Sequence, residues 1–266
     1  MEQIERVSSI DQKNRWRLVF KWLLFPGLNV GTRKRMKFSR HLQPGDLLTL
    51  DAGCGNGAFS YAASRLGNKV VGINIDSDQV RRCEEYRDFI GIDPDRCKFK
   101  RHDIYEAAAL RQVFDQIICF ETLEHLERDG EVLGLFKEIL NPGGLLHICT
   151  PRRKRAAYFG EALSETEDGG HVRLGYEFAD LESLLAGYGF EVIKTDTAIG
   201  FFGLKVEEIL NWFEIAGLRN LPDSLREILH TGLFLFLYPF TLLDNILSRS
   251  YLSIYVKARA IERQPV

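Results

Sequence analysis

The sequence predicts an α/β fold, a doubly wound and mostly parallel sheet of seven strands with helical segments ahead of its first strand and ahead of its last. Three observations lead there. Residues 47–76, LLTLDAGCGNGAFSYAASRLGNKVVGINID, read as strand, tight glycine turn, helix and second strand, a βαβ unit whose strands run parallel. Strand and helix patterns then keep alternating as far as Thr195. The stretch before the final strand, residues 201–250, is instead helical and rich in large apolar side chains.

Length and composition bound the function. A chain of 266 residues with 45% hydrophobic and 27% charged side chains has ample material for a core. Its formal net charge of −2 gives no general attraction to nucleic acid, and we expect no nucleic-acid partner. The 5 cysteines, Cys54, Cys83, Cys97, Cys119 and Cys149, are scattered without C-x-x-C spacing, the usage of buried thiols in a reducing compartment. The first fourteen residues are polar and lack the apolar run of a secretory signal, so a cytoplasmic location is expected.

Residues 1–45 read as a helical cap. NRWRLVFKWLLF interleaves Arg15, Arg17 and Lys21 with Trp16, Phe20, Trp22 and Leu23 and ends at Pro26-Gly27. Such a helix either packs on the domain with its cations solvated, or lies on a membrane or over a substrate. A second basic segment, RKRMKFSRHL, runs to Gln43-Pro44-Gly45.

The core, residues 46–200, begins with Leu47, Leu48 and Leu50 leading into Asp51 and the glycines Gly53, Gly55 and Gly57. Glycine suits that turn because the chain bends sharply and a ligand must approach the backbone. The strand KVVGIN follows, then Asp76-Ser77-Asp78 as a helix N-cap, then CKFKR as a third strand ending at His102-Asp103-Ile104. FDQIICF is a fourth strand that runs directly into Glu121-Thr122-Leu123-Glu124-His125. A helical stripe through Val132, Leu133, Leu135, Phe136 and Leu140 leads to the turn Asn141-Pro142-Gly143-Gly144 and a fifth strand, LLHICTP. A polar stretch then ends in Gly169-Gly170-His171-Val172-Arg173, and FEVIKT is the sixth strand. Within the insertion, residues 206–212 and 225–229 read as helices, and LFLFLYPF is a run too short to span a membrane. It fits an apolar wall over the site, an interfacial anchor or a dimer interface. Residues 251–266 hold the last strand and tail.

Two cofactor classes use a glycine turn of this kind. Gly53, Gly55 and Ala58 fit a dinucleotide fingerprint, but Asp51 at the strand tip would repel a pyrophosphate and could meet an ammonium group or orient the turn. D-A-G-C-G-N-G closely resembles motif I of class I S-adenosylmethionine (SAM) dependent methyltransferases. F-D-x-I-x-x-x-E-x-x-E-H, L-x-P-G-G-x-L and the H-V-R with G-Y-G-F behind it resemble the small-molecule and quinone-biosynthesis O-methyltransferases of that family. The resemblance spans about residues 47–194 and the last strand, and implies a Rossmann-like sheet whose last two strands are antiparallel, under an N-terminal cap. It also implies SAM as cofactor, held by Asp51, Gly53, Cys54, Gly55, Asn74, Ile75, Asp76, Asp103, Ile104, Phe120 and Glu121. Asp103 stands where the family accepts a hydrogen bond from the adenine amine. Asn74 stands where the family has an acid for the ribose hydroxyls; an amide bonds a hydroxyl but does not accept from both, and Asp76 is either a substitute or a helix cap.

Catalysis is expected at His125, His171 and Glu124. If a helix opens at Glu121, then Glu121, Glu124 and His125 fall at i, i+3 and i+4 and converge on one face. His125 or His171 could be the base that deprotonates an acceptor hydroxyl. The alternative is that Glu121, Glu124, His125 and His171 ligate a divalent metal such as Mg²⁺. A third reading makes the acids a plain helix start. The expected acceptor is a small molecule, lipid-linked or glycan-linked, with peripheral membrane contact and a homodimer among the expected associations. A non-catalytic SAM-binding module, or a dinucleotide-dependent oxidoreductase, are the competing functions.

Overall fold

The computed structural model describes residues 18–19, 22–153, 163–213, 221–247 and 251–261. Arg15, Trp16, Arg17, Phe20 and Lys21 of the expected basic-aromatic helix lie outside these. Seven strands form one sheet in the order β3-β2-β1-β4-β5-β7-β6. They are β1 (Leu48–Ala52), β2 (Lys69–Asn74), β3 (Cys97–Arg101), β4 (Phe114–Phe120), β5 (Leu140–Pro151), β6 (Phe190–Ala198) and β7 (Ser253–Ala260). Strands β1 to β5 pair in parallel, and β7 runs antiparallel to both β5 and β6.

Side-chain alternation assigns each strand's residues to two apolar layers. Leu50 and Ala52 of β1, Ile117 and Cys119 of β4, and Ile254 and Val256 of β7 face one layer. That layer is closed by α4 (Asp129–Ile139) and α5 (Phe178–Gly187), through Val132, Phe136, Leu181 and Leu185. Ile118, Phe120 and Tyr255 face the other, beneath α2 (Ala58–Arg65) and α3 (Ser77–Phe89), through Tyr61, Val80 and Tyr86. All 5 cysteines are buried and unbridged, as their scattered spacing implied.

The segment before β1 forms a short helix, α1 (Val30–Arg35), followed by a 3-10 turn (Met36–His41). Its cations find acids far along the chain. Lys37, Arg40 and His41 gather around Asp196 of β6. Between β6 and β7 lie α6 (Phe201–Trp212), α7 (Asp223–Leu237), a 3-10 turn (Tyr238–Leu243) and α8 (Asp244–Leu247). Val30 of α1 packs with Val206, Leu210 and Phe234 of this insertion, so cap and insertion share a small core.

Three local expectations are corrected. The expected turn Asn141–Gly144 is part of β5: Leu140 pairs with Phe114 and Leu145 with Gln116, so the four residues bulge from a strand that continues on both sides. The helix expected over 225–229 is longer, since α7 runs on through LFLFL to Leu237. No helix opens at Glu121, where φ is +49° and breaks the chain sharply after β4. Only a 3-10 turn, Leu123–His125, follows.

Candidate active site

The C-terminal ends of β1, β2, β3 and β4 lie along one edge, and the strand order reverses between β1 and β4. Open α/β sheets bind ligands at such a point. The loop after β1 is built on backbone bonds: Gly53 and Cys54 N–H groups donate to Ile73 O at 3.1 and 2.9 Å, and Gly57 N–H to Cys54 O at 2.8 Å. Gly53, Gly55 and Gly57 have φ of +81°, +50° and +78°. Gly53 lies against the Thr122 side chain, which leaves no room for a Cβ. Gly55 is the opposite case: a Cβ there would meet nothing within 4 Å, while its carbonyl accepts from Gln79 Nε2 at 2.9 Å and Cys83 Sγ at 3.3 Å. The loop is thus held from behind and open in front.

Alternation on β1 turns Asp51 toward α2, where its Oδ2 accepts a 2.5 Å bond from Ser60 Oγ. Of the two roles expected for Asp51, orientation of the turn is the one this contact displays. Burial pushes its pKa up to about 6, against the pull of Ser60. At the tip of β2, Asn74 Oδ1 accepts from the Asp76 N–H at 2.9 Å. Asp76 caps α3, its Oδ1 accepting from Asp78 N–H at 2.8 Å. Between them Ile75 stands out into solvent, 66% exposed. Past β3, Asp103 Oδ1 accepts from Tyr105 N–H at 2.9 Å, and Ile104 is packed in the core. Cys54 and Phe120 are buried, with Phe120 edge-on to Phe59 at 4.5 Å.

Glu121 does not join Glu124 and His125. Its N–H donates to Cys149 O at 2.8 Å, and its carboxylate meets Arg35 of the cap and the Cys149 thiol. Burial opposes the charge on Arg35, but Glu121, Cys149 and Glu207 together outweigh it and raise the Arg35 pKa.

The expected catalytic trio does converge. Ligand atoms of Glu124, His125 and His171 lie within 4.8 Å of one another. Glu124 is fully buried, and its pKa is raised well above the carboxylate range by desolvation and by the charge of Glu121. One of its oxygens accepts from Thr150 Oγ1 at 3.3 Å; the other has no hydrogen-bond partner among the described residues. His125 Nδ1 lies 2.8 Å from Gly170 O. A carbonyl only accepts, so Nδ1 carries the proton and Nε2 of the neutral ring keeps a lone pair. The His125 and His171 rings meet at 4.6 Å, 70° apart.

Residues to which the sequence assigned no role hold this cluster together, among them Val172 and Arg173 of the H-V-R motif. Val172 N–H donates to Glu124 O at 3.0 Å. The Arg173 guanidinium meets the Asp129 carboxylate and the Leu126 carbonyl, and Tyr176 OH donates to Asp129 at 2.5 Å. Arg173 follows His171 by two residues, the one sequence signal that marked it.

A glycine loop at the switch point of a mostly parallel sheet is the architecture of a class I SAM-dependent methyltransferase, and the chain belongs to that family: a model described as Methyltransferase domain matches residues 45–217. Among relatives, the ubiquinone biosynthesis O-methyltransferase of Actinobacillus pleuropneumoniae serotype 5b (strain L20) is 29% identical over 173 residues, 64% of each chain. The mitochondrial enzyme of that name from Mus musculus is 28% identical over 203 residues, 72% of this chain and 54% of that one. The match thus spans less than two thirds of the length of either. Similar solved folds include coclaurine N-methyltransferase bound to N-methylheliamine and SAH (TM-score 0.58, 18% identity, 86% of this chain and 72% of that one). The [4+2]-cyclase SpnF shares the fold equally (TM-score 0.58, 16% identity, 86% and 80%).

Proposed function

We propose that the protein transfers a methyl group from SAM to a hydroxyl oxygen of a small acceptor. The observation that carries this is the convergence of Glu124, His125 and His171 beside the β4 and β5 tips. A binding module has no chemical need for it. SAM supplies a methyl carbon made electrophilic by its sulfonium. The residues fit such a ligand: Gly55 leaves an open approach, Asn74 and Asp103 offer polar groups at neighbouring strand tips, and Ile75 offers an exposed apolar face to a base. Gly53, Cys54, Asp76, Phe120 and Glu121 complete the edge, and Asp51 supports the turn from beneath.

His125 Nε2 is the base in this reading. It takes the hydroxyl proton as the O–C bond forms and the C–S bond breaks with its electron pair going to sulfur, a displacement that needs chiefly alignment. Glu124, whose burial and whose neighbour Glu121 favour its protonated form, supports the cluster from behind as a neutral group. The same trio could hold a divalent ion that lowers the hydroxyl pKa. Two imidazoles and one carboxylate suit a metal of the Mn²⁺ or Zn²⁺ type better than Mg²⁺, which prefers oxygen. Glu121 is engaged elsewhere and would not be a ligand. The names of the quinone-pathway relatives support a hydroxyl acceptor, and the apolar insertion favours a lipid-linked over a glycan-linked one.

The test is methyl transfer from labelled SAM to a panel of phenols, catechols and their prenylated forms, with and without EDTA. His125→Ala and His171→Ala should each lower turnover about 100-fold or more with SAM affinity kept. Unchanged turnover in both would refute the assignment.

A further inference from the structure

Helix α7 is apolar on both faces from Ile228 onward. On one side Phe234 is buried against Val30, Val206 and Leu210, with Leu233 and Leu237 packed beside it. On the other, Ile228, Leu229, Leu235 and Phe236 recur at helical spacing and are exposed, Ile228 by 68% and Phe236 by 69%. The surface continues through Phe240, Leu242 and Ile246, the last 80% exposed. Between Ile228 and Leu247 the sole acid or strong base is Asp244, which is buried on Lys34 and the N–H groups of Gly200 and Gly203. A helix apolar all round is covered by protein or by lipid, and uncharged patches of this extent are rare on free surfaces.

The charge beside the patch decides between covers. Arg33 packs over the rings of Phe234 and Tyr238 at 5.3 and 5.4 Å, while its Nε donates to Gly27 O at 2.7 Å. That ties the Trp22–Gly27 segment, where Trp22 and Leu23 are exposed, to the C-terminal end of α7. In sequence, Lys13, Arg15, Arg17 and Lys21 come immediately before Trp22, with no acid after Asp11. That cationic sequence, leading into exposed Trp22, complements an anionic surface, whereas a second copy of this chain brings the same excess of cations. Anionic headgroups would neutralise them while the apolar face enters the acyl boundary. No helix among the described residues is long and apolar enough to cross a membrane, so the contact is peripheral.

We propose that the α7 face, continued by the turn and α8, docks the protein on an anionic lipid bilayer. The contact does not depend on methyl transfer being the reaction. The test is cosedimentation of the full chain with vesicles of phosphatidylcholine alone and of phosphatidylcholine mixed equally with phosphatidylglycerol. It is run for the wild type and for Phe236→Glu/Ile246→Glu, two exposed positions whose change leaves the packed face intact. We expect binding to the mixed vesicles, weaker binding to the neutral ones, and loss of about tenfold or more in the variant. The variant's unfolding transition should match that of the wild type. No binding to mixed vesicles, or equal binding by a folded variant, would overturn the proposal. So would a wild-type mass of two chains that the variant reduces to one, since a second copy would then be the cover.

Discussion

The carboxyl groups of Asp51 and Glu124 are withdrawn from water, and each carries a stability cost at neutral pH. Asp51 has its pKa raised from 3.8 to about 6. Between those values the folded protein holds a proton that the unfolded chain releases, so stability falls as pH rises through that window and is level above it. The group accounts for about 3 kcal/mol of that loss. Asp51→Asn should therefore be more stable than wild type at neutral pH, with the advantage gone near about pH 4 in urea melts across that range. Equal pH profiles would remove the buried carboxylate from the account. Glu124→Gln replaces a buried carboxyl group that burial and Glu121 keep from ionising, and whose second oxygen lacks a partner among the described residues, so we expect a higher melting temperature at neutral pH together with loss of turnover. A variant less stable than wild type would mean that Glu124 is structural.

At the scale of elements, two joints set the site. The loop carrying His171 is clamped by Arg173 on Asp129 and on the carbonyls of Leu126 and Glu127. Arg173→Leu should cost about 100-fold in kcat through misplacement of His171, while binding of S-adenosylhomocysteine, proposed at the glycine loop, should stay as in wild type. Equal losses in both would place Arg173 in general stability. The second joint is Asp244, whose carboxylate accepts from Gly200, Phe202 and Gly203 at the start of α6 and pairs with Lys34. Asp244→Ala leaves these groups buried and uncompensated, and we expect a loss of about 3 kcal/mol in urea unfolding, with faster amide exchange in α6. Neither joint was legible in the sequence. Asp196, which collects Lys37, Arg40 and His41, and Glu121, which turns to Arg35, pair across more than eighty positions, and no local pattern encodes such distances. Continuity of β5 through Asn141–Gly144 was hidden for a related reason: Pro and Gly signal a turn locally, and pairing with β4 overrides them.

Over the whole molecule, what could be read was what repeats or what needs glycine. Period-2 and period-3.6 apolar patterns gave all seven strands and the core helices. The positive φ of Gly53, Gly55 and Gly57 is the physical reason that their spacing announced the turn. His125, His171 and Glu124 were singled out in the sequence and do converge, but the geometry that excludes Glu121 from them depends on its φ of +49°. The reversal of strand order between β1 and β4 then places the glycine loop and the His/Glu cluster along one edge. That arrangement carries the proposal that the loop at Gly55 takes a sulfonium nucleoside and not a pyrophosphate. It is tested most directly by a thermal-shift titration of the purified protein with S-adenosylhomocysteine and, separately, with NAD. At about 100 times its dissociation constant, S-adenosylhomocysteine should add about 2.7 kcal/mol, several degrees in melting temperature, and NAD should add nothing. Stabilisation by NAD with no response to S-adenosylhomocysteine would contradict the claim.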